Sequence, residues 1–285
     1  MKNNIIKLSL VLTSRNRKKE LLRFIESLNT QQNVDLSSIQ LIFVDQEDNR
    51  DILKNLNPLF KFNYVQTSHC SLSHARNIGL QYVEGKYLGF PDDDCWYEDN
   101  TLIKVLNFFQ CNDFQGLTGK GTNGFGKLTS IFPQESRELT ITNRCAAISY
   151  TIFVLFNKEV FFDENLGVGS PYNLGSGEET DYLLTLMEKY NYQFYYDSTL
   201  IIHHPASSDA NFDKISLLKV YSYARGNGYL MQKHKFPLLY YMKYFIRPLL
   251  GMLYGFVHGR KNRISKSYYI LRGRLEGFLI NVKRK

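Results

Sequence analysis

Apolar and polar positions alternate in a readable order along this chain. Leu8-Ser9-Leu10-Val11-Leu12-Thr13 reads as a short strand, and Ser14-Arg15-Asn16-Arg17 turns the chain. Leu21, Leu22, Ile25 and Leu28 then recur at helical spacing. Ile39–Val44 is a second strand, closed by Asp45, and Asn63-Tyr64-Val65 is a short third one. Leu72 to Val83 returns to helical spacing, with Ala75, Ile78, Gly79 and Tyr82 on one side. Tyr87–Phe90 is a fourth strand and Leu102 to Phe109 another helix. This alternation predicts a parallel sheet with helices on its faces. In such sheets ligands gather beyond the carboxyl ends of the strands.

Downstream the pattern loosens. Gly116 to Ser136 is rich in Gly, Thr, Asn and Lys and reads as loop with one short strand at most. Ile148–Phe156 is apolar and β-branched, a strand. Gly167 to Gly177 is a Gly-rich loop. Glu178-Glu179-Thr180-Asp181 opens a helix whose acidic first turn complements the helix dipole. Phe194-Tyr195-Tyr196 and Thr199–Ile202 are extended, and His203-His204-Pro205 ends the last strand. Charge and composition change near Asn211, which predicts a boundary there.

The charge sharpens that boundary. The 285 residues carry a net charge of +8, but residues 1–213 sum to −7 and residues 214–285, with 16 basic and one acidic side chain, to +15. A basic segment this rich in Tyr, Phe and Leu points to an anionic membrane surface rather than to nucleic acid. Phe236–Val257 is interrupted by Lys243, Arg247 and Pro248, so an in-plane helix or helix pair is expected, not a span. Cys70, Cys95, Cys111 and Cys145 have no zinc-type spacing, and the polar start from Met1 to Lys7 does not resemble a signal peptide. A cytoplasmic chain with reduced thiols, peripheral to the inner membrane face, is the expectation.

The candidate chemistry lies after the fourth strand, in Pro91-Asp92-Asp93-Asp94. Three adjacent carboxylates at a strand end repel one another and are costly to desolvate without a cation. A solvated acidic turn is the plain reading; a divalent cation carrying a phosphorylated substrate is the functional one, and hard oxygen ligands suit Mg²⁺ or Mn²⁺.

Six signals in register carry a resemblance. They are Val11-Leu12-Thr13-Ser14-Arg15-Asn16-Arg17; Leu41-Ile42-Phe43-Val44-Asp45; Ser73-His74-Ala75-Arg76-Asn77-Ile78-Gly79-Leu80; Gly85 to Phe90 with the Asp triplet; Phe162-Asp163-Glu164-Asn165-Leu166-Gly167; and Gly177-Glu178-Glu179-Thr180-Asp181. Together the chain resembles glycosyltransferase family 2, over roughly residues 7–205. The resemblance implies an α/β GT-A fold with a mostly parallel, Rossmann-like sheet and a basic helical C-terminal extension. It implies a catalytic domain at 1–211, with a nucleotide-sugar half at about 1–115 and an acceptor half at about 116–211, followed by the basic region 212–285. It also implies inverting, metal-assisted transfer of a sugar from a nucleotide-diphosphate donor to a glycan or lipid-linked acceptor in surface polysaccharide synthesis.

Position by position, the resemblance implies donor contacts at Thr13, Asn16, Arg17, Asp45, Arg76, Asn77, Asp92 and Asp93, with Asp45 toward the nucleobase. Metal ligation falls to Asp94, Asp92 and His203, with His204 second to His203. The catalytic base is Glu179, with Glu178 its alternate, and Arg225 or His234 in the basic region faces the diphosphate. Two departures stand out. Asp45 is followed by Gln46-Glu47-Asp48-Asn49 rather than a Gly-Ser turn, and Glu179 stands where the family has Asp. Two rival readings remain at this point. A nucleotidyltransferase would carry a glycine-rich loop where Ser14-Arg15-Asn16-Arg17 has none, and a non-catalytic binder would not need the intact triplet and Glu pair.

Overall fold

The structure is a computed structural model that describes residues 5–141, 147–205 and 213–282. It divides into two units, one from Met1–Cys70, His74–Phe161 and Tyr182–Ser207, the other from Ser71–Ser73, Phe162–Asp181 and Ser208–Lys285. The expected boundary near Asn211 and Cys145 both lie outside the described residues.

The first unit is a sheet with helices. Its strands are β1 (Leu8–Ser14), β2 (Ile39–Asp45), β3 (Lys61–Gln66), β4 (Tyr87–Gly89), β5 (Trp96–Tyr97), β6 (Gly116–Thr122), β7 (Arg137–Leu139), β8 (Ile152–Leu155) and β9 (Phe194–His203). Helices α1 (Lys18–Asn29) and α3 (Thr101–Cys111), with most of α2 (Leu72–Leu80) and α4 (Glu178–Tyr190), alternate with them; the first residues of α2 and α4, through Ser73 and Asp181, belong to the second unit. The sheet order is β3-β2-β1-β4-β8-β6-β9-β5, with β7 on β9. Pairing is parallel from β3 through β4 and mixed beyond, where β8 runs antiparallel to both neighbours and β6 pairs with β9 in parallel.

The continuous apolar run of β1 follows from burial on both faces. Leu8, Leu10 and Leu12 share a core with Phe24, Ile25 and Leu28 of α1 and Leu102 and Val105 of α3. On the other face Gly79 of α2 lies so close that a Cβ there would sit 2.5 Å from Val11 Cγ1. Helix α1 buries Leu21, Phe24, Ile25 and Leu28 at the i, i+3, i+4, i+7 spacing of one stripe.

Two differences from the sequence reading have a physical cause. The Gly-rich segment after Gly116 contains a full strand, β6, because neighbouring rings occupy the space its side chains would need. A Cβ at Gly116 would lie 2.1 Å from the Phe194 ring, and one at Gly121 2.5 Å from the Tyr150 hydroxyl. The two extended pieces at 194–196 and 199–202 are one strand, β9, with a register shift opposite Thr118 and Lys120.

The second unit holds three long helices, α5 (Lys214–Lys233), α6 (Leu238–Val257) and α7 (Lys261–Leu279). Asp213 caps α5 by accepting from the Ser216 amide at 2.7 Å. Helices α5 and α7 approach through glycines. Cβ atoms at Gly228 and Gly277 would lie 2.2 Å from Arg274 O and 2.0 Å from Arg225 O. Pro248 does not end α6. It has no N–H for the carbonyl of Tyr244 four residues before, and the Arg274 guanidinium of α7 donates to that oxygen instead.

Candidate active site

Strand ends and one sharp turn assemble the acidic cluster of the sheet unit. Thr13 at the end of β1 bridges in parallel to Asp92, just beyond β4, which aligns the triplet with the carboxyl edge of the sheet. Asn16 has φ 59°, a left-handed conformation that Asn tolerates better than most residues, and it turns the chain back so that Arg17 precedes α1.

Each aspartate of the triplet has its own partners. Arg76, on α2 and 1% exposed, approaches Asp92 with Nη2 at 3.2 Å, and Ser149 donates to the same oxygen at 3.1 Å. Ser14 donates to Asp93 at 2.7 Å. Arg17 lies 3.5 Å from Asp93 and donates to Asp94. His204 Nε2 is 2.9 Å from the other Asp94 oxygen, its ring stacks on Tyr150 at 4.6 Å, and its Nδ1 faces the Pro205 carbonyl at 2.8 Å. Asp92, Asp94 and His204 each offer a donor atom, all within 4.8 Å of one another.

Burial and charge set the protonation tendencies. Burial pushes Asp92 up against the pull of Arg76 and His204. Burial raises Asp93 to about 6, despite the Ser14 hydrogen bond and Arg17. For Asp94 burial is outweighed by the His204 hydrogen bond and the charges of His204 and Arg17, so it stays below the usual carboxylate range. Burial lowers His204, but Asp94 more than compensates and raises it.

The histidine expectation is corrected by the pleat of β9. Successive strand residues point to opposite sides. His203 pairs with Trp96 of β5, stacks on its ring at 5.2 Å, takes the Thr122 hydroxyl at 2.8 Å and lies 3.8 Å from Glu98. His204, one residue on, is the imidazole beside Asp94.

Asp45 also differs from its expected role. It is fully buried at the end of β2, and its carboxylate accepts from Glu47 N at 3.0 Å, Asn49 N at 2.6 Å, Asn49 Nδ2 at 3.0 Å and Tyr64 OH at 2.9 Å. A carboxylate has about four acceptor directions, and protein donors fill them here. Asp45 therefore holds the Gln46–Asn49 turn rather than presenting a free oxygen to a base. Burial and the Asp45 contact push the Tyr64 hydroxyl up to about 12.

Arg225 is engaged inside the helical unit: Nη1 reaches Glu276 at 2.7 Å and Tyr221 OH at 3.1 Å, and Nη2 reaches Tyr172 O at 3.3 Å. His234 lies 2.8 Å from Asp181, which also holds Lys233 at 2.8 Å. Glu178 and Glu179 open α4, Glu178 buried and Glu179 part-buried, and Glu178 lies against the left-handed turn at Gly167. Asn77 is a buried residue of α2.

The sequence alone does not single out Ser14, Ser149 or Tyr150 as site residues. Ser14 sits within the motif that supplied Thr13 and Arg17. Ser149 and Tyr150 carried no signal except their place at the start of an apolar strand.

Solved structures place the fold among GT-A glycosyltransferases. The crystal structure of S. aureus TarS 1-349 aligns with a TM-score of 0.57 at 17% identity, over 95% of this chain and 91% of that one. Mannosyltransferase PcManGT from Pyrobaculum calidifontis, in complex with GDP-Man and Mn2+, aligns at 0.65 and 8% identity, over 96% and 87%. The profile of glycosyl transferase family 2 matches residues 9–168, and the chain belongs to that family. Relatives include the minor teichoic acid biosynthesis protein GgaB of Bacillus subtilis, 26% identical over 236 residues, and the poly(ribitol-phosphate) beta-N-acetylglucosaminyltransferase TarS of Staphylococcus aureus, 25% identical over 177. The matches cover 75% and 57% of this chain but only 26% and 30% of the relatives.

Proposed function

We propose that this chain is an inverting, metal-dependent glycosyltransferase. It moves a sugar from a nucleotide-diphosphate donor to a hydroxyl of a glycan or lipid-linked acceptor, in the synthesis of a teichoic-acid-like surface polymer. The observation that carries the proposal is the convergence of Asp92, Asp94 and His204 at the carboxyl edge of the sheet. Two carboxylates and an imidazole fit Mn²⁺ better than Mg²⁺, because nitrogen is a softer ligand than oxygen. A cation held there would offset the charge that grows on the leaving diphosphate.

The remaining roles belong to side chains. Arg76 and Ser149 fix the orientation of Asp92. Arg17 neutralises Asp93 and Asp94, and its half-exposed side chain can swing from Asp94 to meet the diphosphate. Thr13, Asn16, Asn77 and Asp93 line the donor side, with the Asp45-organised turn positioned toward the nucleobase. Glu179 accepts the proton of the attacking hydroxyl, and Glu178 is its alternate. In-line attack opposite the leaving group inverts the anomeric carbon. The basic segment 214–285 brings the enzyme to the anionic inner face of the cell membrane.

The test is a donor screen by thermal shift and hydrolysis, with and without Mn²⁺. UDP-GlcNAc comes first, because a solved TarS structure holds it. One class of nucleotide sugar should stabilise the wild type only with metal, and Asp94→Ala should abolish that shift. Equal stabilisation of both proteins would overturn the metal role.

A further inference from the structure

Helix α6 is built inside out. Its buried positions are Pro248, Gly251 and Gly255. A Cβ at Gly251 would lie 2.5 Å from Ser267 Oγ, and one at Gly255 2.8 Å from Ile264 Cγ1, so small residues let α6 and α7 approach closely. The large apolar side chains face outward. Leu239, Met242, Ile246, Leu249, Leu253 and Phe256 are 43% to 79% exposed and recur every three or four residues along one side. A helix that packs a soluble core does the reverse. Small residues between helices and large apolar ones outside are the arrangement found in lipid.

A basic cleft of about 970 Å³ opens at the α6–α7 turn, where α6 contributes Arg247, Pro248 and Gly251 to its wall. Arg247, Arg260, Lys261, Arg263, Lys266 and Arg274 line it, and among the described residues no carboxylate does. Lys261 begins the 19-residue α7, whose positive dipole end therefore opens on the same space. Arg274 Nε is buried there without a hydrogen-bond partner.

We infer that the outer face of α6 and this cleft form one lipid-docking surface. The stripe lies along the acyl boundary of a bilayer and the cleft takes the phosphates of anionic headgroups. The inference rests on the membrane part of the proposed function and is independent of the transfer chemistry. Charge decides the occupant. A second copy would cover the hydrocarbon but bring another cationic surface, whereas an anionic bilayer complements both features. No described helix is long and apolar enough to cross a membrane; on this proposal α6 lies in the interface plane.

Flotation of the full chain with phosphatidylglycerol-containing vesicles and with pure phosphatidylcholine vesicles tests this. The wild type should float with the anionic vesicles only. Leu249→Asp/Leu253→Asp and Arg263→Glu/Lys266→Glu should each lose more than about tenfold in partitioning, with unchanged circular dichroism melts. Asp94→Ala should float like the wild type, which separates docking from catalysis. Wild-type flotation with both variants unaffected would overturn the surface while leaving membrane association intact. A wild type that stays in solution would overturn both, whereas equal flotation with both vesicle types would overturn the headgroup role of the cleft, and with it the surface as proposed, while membrane association stands. A dimer in sedimentation velocity that Leu249→Asp/Leu253→Asp dissolves, without vesicle binding, would assign the face to a second copy.

Discussion

The sheet unit and the helical unit break the usual partition of residues in opposite directions. The sheet unit takes carboxylates out of water at Asp92, Asp93 and Asp94 and surrounds them with Arg17, Arg76 and His204. The helical unit turns leucines out and glycines in. A chain selected for stability alone would do neither, because buried charge costs desolvation and exposed hydrocarbon leaves burial unused. On the proposed reading each departure serves a ligand, a cation with a phosphorylated donor in one unit and an anionic membrane surface in the other.

The comparison can be broken most sharply at Asp94. If its carboxylate serves a ligand, Asp94→Ala should lower transfer about 10³-fold or more in steady-state kinetics, with little loss of stability in urea titration. A large stability loss with modest kinetic change would make the cluster a folding device. Arg76→Met is the contrasting variant. It leaves Asp92, whose side chain is 27% exposed, without its cation, and breaking a pair buried on one side costs about 2–3 kcal/mol. The urea midpoint should fall accordingly, before any donor is added.

The sheet was more legible in sequence than the site was. β1, β2, β4 and α1 follow from their own residues, since periodicity reports burial directly. β6 was hidden because its glycines are explained by Phe194 and Tyr150, which are distant in sequence. Strands β5 and β7 are too short for a pattern and exist through pairing with β9. The choice between His203 and His204 turned on the pleat, which two adjacent histidines cannot reveal. The Asp triplet is visible as a run of letters; its partition among Ser14, Arg17, Arg76 and His204 is not, because those partners come from three stretches far apart in sequence, the β1–α1 junction, α2 and the end of β9.

Asp45 sharpens the same point with a smaller effect. It resembles the triplet in sequence, an aspartate at a strand end, yet four protein donors satisfy it. Asp45→Asn places an NH₂ where one or more of those donors point and removes a charge that strengthens the rest. Stability should fall by about 2 kcal/mol, measured without ligand, and any change in donor affinity should follow from the loosened Gln46–Asn49 turn. A variant as stable as wild type but deficient in donor binding would return Asp45 to direct contact with the base.

The helical unit also contains a charge network, and its effect is read as a pH slope. Lys233 lies 2.7 Å from Asp163 and 2.8 Å from Asp181; Tyr229 donates to Asp163 at 3.0 Å, Asn165 donates to it at 2.8 Å, and His234 faces Asp181 at 2.8 Å. Burial pushes the Asp163 carboxyl up, but Lys233 and the Asn165 hydrogen bonds more than reverse this, so its folded pKa lies below the ordinary value. A carboxyl lowered on folding stabilises above its unfolded pKa, near 4, and that contribution fades as pH falls through the folded value. Lys233 behaves oppositely. Burial lowers it, Asp181 and Asp163 raise it further, and the net rise makes its contribution complete below the ordinary lysine pKa and lost as pH climbs through the folded one. Stability should therefore decline at both extremes, below about pH 4 and above about pH 10. Asp163→Asn should flatten the acid limb and Lys233→Met the alkaline one, in urea titrations run across pH. Unchanged slopes in both variants would mean that the network forms without differing from the unfolded chain in proton affinity. The helical unit would then owe its cohesion to the glycine contacts of α5, α6 and α7 alone.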